Sequence, residues 1–265
     1  MSTRAIAEIV DPHRMSTAAR EAFTDELYAA HCEIFSGVDR KAFAKYVVSS
    51  PAQRTRIQVF RAQGRIVGYA AFHVFERELE GRPCLVVRSE VGLLPAYRRG
   101  TRFGWFLIRE TLRVLRASRG RPVWGLSCAT NPATYRTLAR HTDQVWPCSD
   151  RSTPPQLEQL MGSLAEQFGL VPVQGAASGV YHVGWKTRQD EQEIRQWERS
   201  EEPASRLYLS RNPGYPQGHG MLILVPISAA GMGRTALRLC ATQLRRRVRR
   251  LRALGATPVP SSSLS

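Results

Sequence analysis

The residues best suited to chemistry lie in one stretch, Pro95-Ala96-Tyr97-Arg98-Arg99-Gly100-Thr101-Arg102-Phe103-Gly104. It joins a predicted strand ending at Leu94 to a predicted helix opening at Trp105. The first turn of a helix leaves backbone N–H groups without intrahelical partners and carries a partial positive charge. Glycine lets main chain come close to phosphate oxygens, so such a turn suits the capture of a diphosphate. The arginines at 98, 99 and 102 make it cationic. A second glycine-rich stretch, Gly231 to Ala236, superficially fits a dinucleotide fingerprint. No further strand follows it and no acidic residue lies about twenty positions on, so it receives no nucleotide role. The five cysteines show no CxxC spacing and the six histidines no paired spacing. Neither a metal site nor a disulfide framework is expected.

The elements that must hold this turn follow from periodicity. Arg54 to Arg61 alternates as a strand, Gln63-Gly64 is a tight turn, and Ile66 to Phe75 resumes, which together predict a hairpin. Glu80 to Pro83 reads as a second turn and Cys84 to Leu94 as a third strand. Trp105 to Ala117 has helical spacing, and Ser118 to Pro122 breaks it. Val123 to Cys128 is a strand, and Asn131-Pro132 opens another helix. Before this block come a strand at Ala5–Val10, a helix over Met15–Phe35 and a short helix capped by Asp39. After it come helices over Pro155–Phe168, Gln189–Ser200 and Arg234–Leu254, with strands at Val180–Trp185 and Met221–Ile227. The alternation predicts a mixed α/β protein.

The turn resembles the coenzyme A-binding turn of GNAT-type N-acyltransferases, whose usual wording is V-x-P-x-Y-R-G-x-G-x-G. Pro95, Tyr97, the arginines, Gly100 and Gly104 match. The resemblance runs from about Arg54 to Arg140, about a third of the chain. It implies an α/β (α+β) fold with a mixed, mostly antiparallel sheet flanked by helices. Residues 1–230 would form the acyltransferase domain, with 143–215 an insertion or family-specific part. Residues 231–265 would add a basic amphipathic helix and a disordered tail. The implied activity is transfer of an acyl group, most simply acetyl, from acetyl-CoA or another acyl-CoA to a small-molecule or peptide amine by direct attack. Arg98, Arg99, Gly100, Thr101, Arg102, Phe103, Gly104 and Asn131 would hold the donor, and a backbone N–H of Leu93 or Leu94 would steady the oxyanion. Glu90 would be the base, directly or through water. Tyr135 would stand in as acid for a tyrosine that the family carries later, where this chain has Ala139. Tyr215 and His219, in the loop before the last strand, would line the acceptor site. Arg102 departs from the pattern by replacing a glycine. Turned outward it adds a phosphate contact; turned inward it blocks the pocket and leaves a non-catalytic binding module.

The formal charge is +16, and half of that excess lies between Gly231 and Ser265, where eight arginines meet no acidic residue. Over 234–252, Leu237, Leu244, Val248 and Leu251 share one side. Such a helix suits an anionic membrane surface, a nucleic-acid backbone or an acidic protein, among them an acyl-carrier protein acting as donor. With no apolar run of eighteen residues and no secretory leader, a cytoplasmic chain is expected, with peripheral attachment to a membrane as the variant.

Overall fold

A computed structural model describes residues 5–98 and 103–255, the side chains at 246, 247 and 249–255 excepted. The expected tail at 257–265 and four residues of the turn, Arg99, Gly100, Thr101 and Arg102, lie outside the described residues.

The first strand, β1, spans Ile6–Val10. Helix α1 (Thr17–Ile34) starts where Ser16 accepts the N–H of Ala19, which satisfies one of the first-turn donors. A two-residue β2 (Phe35–Ser36) and a short α2 (Arg40–Phe43), capped by Asp39 as expected, follow. Strands β3 (Arg54–Ala62) and β4 (Arg65–Leu79) form the predicted hairpin. Gln63 and Gly64 both have positive φ, +51° and +77°, the geometry that a two-residue hairpin turn requires. The next turn is shorter than predicted. Glu80 and Gly81 make it alone, and β5 (Arg82–Leu93) already includes Pro83. Then come α3 (Gly104–Ala117), β6 (Val123–Ala129) and α4 (Pro132–His141).

Residues 143–215 hold α5 (Pro155–Gln167), β7 (Val171–Pro172), β8 (Val180–His182), β9 (Lys186–Thr187), α6 (Glu191–Glu198) and α7 (Pro203–Arg211). Helix α7 and the two-residue strands were not predicted. Strand β8 stops three residues short of the predicted end, because the chain turns at Gly184 with φ +81°. Strand β10 (His219–Ile227) and helix α8 (Ala229–Gly255) complete the chain. Gly231 and Gly233 lie inside α8, so the stretch that mimics a dinucleotide turn is helical.

Eight strands form one sheet in the order β1-β3-β4-β5-β6-β10-β8-β7. Among the described residues only β5 and β6 run parallel, so the sheet is mixed and mostly antiparallel. Helices cover both faces. On one, α1 packs Phe23, Leu27 and Ile34 over Ile57, Val59, Tyr69 and Ala71, and α5 packs Met161 and Leu164 over Phe75 and Val86. On the other, α3 packs Phe106 and Val114 over Phe72, Val74 and Val87. The start of α8 rests on both α3 and α4: Leu239 faces Gly104, and Arg234 pairs with Asp143 just past α4.

Strands β4 and β5 approach closely at Gly68. A Cβ there would sit 2.3 Å from Leu93 Cδ2 and 2.9 Å from the Gly92 carbonyl. Gly68→Val is therefore expected to destabilise the protein by about 1–3 kcal/mol through overpacking, read as a lower urea midpoint with an unchanged slope. An unchanged midpoint would contradict the close approach.

Candidate active site

Strands β5 and β6 pair at three residues only, Leu85↔Val123, Val86↔Trp124 and Val87↔Gly125. Beyond Val87, β5 continues six residues to Leu93 alongside β4, while β6 continues to Ala129 alongside β10. The sheet opens between them. Amides of an antiparallel strand alternate sides. Leu94 N–H donates to Val67 O at 3.0 Å, on the β4 side. By alternation the N–H groups of Val91 and Leu93 turn toward the opening. The expectation of an amide at Leu93 or Leu94 for a ligand oxygen thus narrows to Leu93, because the Leu94 amide is spent within the sheet.

Glu90 lies on this open stretch, on the face that α1 and α5 cover. Its Oε2 is 2.9 Å from His73 Nε2, at ion-pair distance but outside hydrogen-bond alignment, and neither atom has another hydrogen-bond partner. His73 is buried, and its Nδ1 is 3.0 Å from Thr55 Oγ1. If the threonine hydroxyl donates to Nδ1, the imidazole presents Nε2–H to the carboxylate. Thr55, His73 and Glu90 thus form a row across β3, β4 and β5. His73 pairs with Thr55 in the register, and Ala71 with Glu90.

Two tyrosines flank the carboxylate. Burial and then the Glu90 charge push the Tyr69 hydroxyl well above its ordinary value. Burial raises Tyr46 as well; the Arg88 guanidinium opposes it and the Glu90 charge adds to it. Tyr69 Oη is 2.9 Å from His31 Nδ1. His31 sits among the rings of Phe35, Phe43 and Trp185, with centroids at 4.6 to 5.0 Å. Burial lowers its pKa to about 4.

Helix α3 opens at Gly104, where Phe103 at the N-cap offers no side-chain acceptor, so among the described residues no capping side chain answers its first N–H groups. Arg98 is engaged. Its Nη1 contacts both oxygens of Glu193 on α6 at 3.1 and 3.2 Å, and its Nε reaches Leu93 O at 3.4 Å. Asn131 is the N-cap of α4, its side chain accepting Ala133 N–H at 2.7 Å.

Tyr135 is fully buried, its hydroxyl donates to Pro147 O at 2.7 Å, and burial raises its pKa. Tyr215 is buried against Tyr208, with ring centroids 5.9 Å apart. His219 is half-buried, its ring edge-on to His182 at 5.2 Å, and it folds back over Gly214. Sequence reasoning missed His73, Thr55, Tyr46 and Tyr69. Period-two alternation puts His73 and Tyr69 on one face of β4 and Arg88 and Glu90 on one face of β5, but only the register of the pairing shows that those faces coincide.

No protein-family model and no curated protein sequence matches the chain. Solved structures do show similarity. One is the ribosomal-protein-S18-alanine N-acetyltransferase of Escherichia coli, 14% identical, covering 85% of this chain and 97% of that one with a TM-score of 0.36. Another is a probable N-acyltransferase from Enterococcus faecalis V583, 12% identical, covering 53% of this chain with a TM-score of 0.35; the match spans 34% of that protein's length. A third is a GNAT-like decarboxylase in complex with isobutyryl-CoA, 15% identical, covering 83% and 98% with a TM-score of 0.34.

The buried His31 gives a pH dependence with a definite sign. Between about pH 6.5 and its folded value of about 4, the unfolded chain binds a proton that the folded one does not. Stability therefore falls as pH drops through that window, by on the order of 2–3 kcal/mol from this group. His31→Gln, which keeps a hydrogen-bonding partner for Tyr69, should flatten the fall in urea-derived stability from pH 7 to pH 4. An identical slope in both proteins would show that His31 is not the titrating group.

Proposed function

We propose that the protein is an acyl-CoA-dependent N-acyltransferase. The observation that carries this reading is the parting of β5 from β6 after Val87, with Glu90 on the parted stretch and the start of α3, where Phe103 at the N-cap offers no side-chain acceptor, just beyond it. A slot between strands takes an extended thioester arm, and a helix start takes the diphosphate at the arm's end.

In the proposed reaction an amine nitrogen passes its proton to Glu90, directly or through water, and attacks the thioester carbonyl carbon. The new N–C bond forms, the C–S bond breaks, and coenzyme A leaves as thiolate. The Leu93 N–H supports the carbonyl oxygen as its charge grows. His73, oriented by Thr55, places Nε2 2.9 Å from the Glu90 carboxylate, and the buried Tyr69 and half-buried Tyr46 wall it on either side. No protein acid is needed, since a thiolate can leave into water. The donor is acetyl-CoA or a longer acyl-CoA, and the acceptor is an amine. With Arg99 to Arg102 outside the described residues, the diphosphate contacts assigned to Gly100, Thr101 and the arginines rest on the sequence resemblance.

The alternative of a scaffold that contacts a surface through its basic helix has one observation behind it. Leu237, Leu244 and Val248 are exposed, on the side of α8 away from Leu239 and Gly104. Among the described residues no helix is long and apolar enough to cross a membrane. An apolar stripe on an arginine-rich helix fits an anionic lipid surface better than a nucleic-acid backbone or a folded carrier protein, because lipid takes up the leucines as well as the charge. Sedimentation with phosphatidylglycerol-containing vesicles should pellet the protein, whereas pure phosphatidylcholine should not. The double variant Leu237→Glu, Leu244→Glu should remain in solution. Equal pelleting of both proteins would exclude this surface.

The acyl-transfer reading is tested first by calorimetry with acetyl-CoA and longer acyl-CoAs, where saturable heat is expected for at least one. Glu90→Gln should then lower the rate of coenzyme A release with amine acceptors by about 100- to 10,000-fold, while the donor Kd stays the same. Absence of heat with every donor would end the reading, and full turnover in Glu90→Gln would remove Glu90 as base.

A further inference from the structure

Two residues before Glu90, on the same face of β5, stands Arg88, the first side chain beyond the last residue pair that joins β5 to β6. It is only 7% exposed. Its guanidinium lies over the rings of Tyr46 and Phe168, 5.1 and 4.7 Å from their centroids, and it donates to the Tyr46 hydroxyl. A second guanidinium, that of Arg77 on β4, lies 4.3 Å from the centroid of the same Phe168 ring. Arg77 Nη1 donates to the Glu76 carbonyl at 2.7 Å, and its Nε is buried without a partner. Among the described residues, no carboxylate pairs with either guanidinium.

This arrangement calls for an occupant. A buried cation is costly unless it is paired, and a tyrosine hydroxyl and two aromatic faces pair it only in part. Here a buried cation, Arg88, and a half-buried one, Arg77, gather at one ring. Burial, reinforced by the Arg88 charge, already lowers the Arg77 pKa. The group missing from this corner is an anion with a planar pair of acceptors, which a guanidinium fork grips at two points. Residues i and i+2 of a strand are roughly 6.6 Å apart. A carboxylate seated on Arg88 thus leaves a neighbouring amine within reach of Glu90. Tyr46 and Phe168 wall the site with aromatic surface.

We infer that Arg88, supported by Arg77, is the anchor for an acceptor carboxylate, so that the acceptor is an amino acid or a similar molecule carrying a carboxylate close to its amine. The amine half of this statement rests on the acyl-transfer reading; the anion site does not.

The two halves are tested separately. In the first test, the side-chain Nε–H signals of 15N-arginine-labelled protein are followed during titration with acetate, phenylacetate and each of the free amino acids, against sodium chloride at equal ionic strength. The Arg88 signal is assigned by its loss in Arg88→Met and in Arg88→Lys, the second kept as a charged variant should the first not fold. A saturable shift of that signal with one or more carboxylates, not reproduced by chloride, is expected. No shift with any of them, or only a chloride-like drift, would make Arg88 a structural cation and overturn the inference. The second test measures coenzyme A release from acetyl-CoA with amino acids and with the matching amines that lack the carboxylate. Amino acids should be the better acceptors, and Arg88→Lys should raise their KM about tenfold or more with a smaller change in kcat and none in donor Kd. Equal use of both members of each pair would refute the carboxylate requirement. A shift in the first test without turnover in the second would retain the anion site and reject the acyl-transfer reading.

Discussion

The structure depends on one unequal division of hydrogen bonds. β5 must give its backbone to β4 along its whole length, because that pairing organises the core. To β6 it gives only three residues before the two strands part. Past that point the amides of Val91 and Leu93 have no strand to meet. Main-chain donors left without partners cost about 1–3 kcal/mol each when buried, so water or a bound carbonyl must answer them. The turn to α3 then adds the helix-start N–H groups at Gly104, which Phe103 at the N-cap does not answer with a side chain. A molecule that offers acceptors at two points along an extended arm satisfies both. Everything proposed about donor binding follows from this pairing deficit.

Charge at the opening is arranged around that deficit. Glu90 sits beside buried phenols, faces His73, and lies one strand repeat from Arg88. In such a weakly screened setting each charge acts strongly on its neighbours. The Glu90 and Arg88 charges shift Tyr46 in opposite senses. Burial raises the Cys128 thiol to about 12 while the same arginine opposes that rise. The groups come from the segment after α2 and from β3, β4, β5 and β6, so the site exists only when the sheet is assembled.

Much of the framework was legible because it is local. The hairpin at Gln63-Gly64, the helix that opens near Gly104 and the caps at Asp39 and Asn131 are decided within a few residues. The place of Glu90 came from resemblance, and its neighbours did not come at all. His73 reads as an ordinary strand residue until its pairing with Thr55 and its neighbourhood to Glu90 are known. The spacing of Tyr135 from Asn131 says nothing of what buries it; its hydroxyl donates to Pro147 O, a residue beyond its own helix. Within 143–215, α7 and the two-residue strands went unread for a similar reason. The strands there are two or three residues long, too short for a period, and they form against β10, against one another and against Phe35–Ser36.

The ion pair between Arg98 and Glu193 bears on how the opening could stay receptive although Arg98 is engaged. Both side chains are about a third exposed, 33% and 27%, so their attraction is screened and contributes about 1 kcal/mol or less. A phosphate group arriving at the start of α3 meets the helix dipole, worth typically 0.3–1 kcal/mol. It also meets charge-assisted hydrogen bonds roughly twice as strong as neutral ones. Under the proposed donor binding the balance would favour exchange: the guanidinium would turn from carboxylate to phosphate and Glu193 return to water, while Leu93 O kept the arginine near the turn. The pair would then serve as a placeholder that holds Arg98 against the β5–α3 junction until an anion replaces the carboxylate.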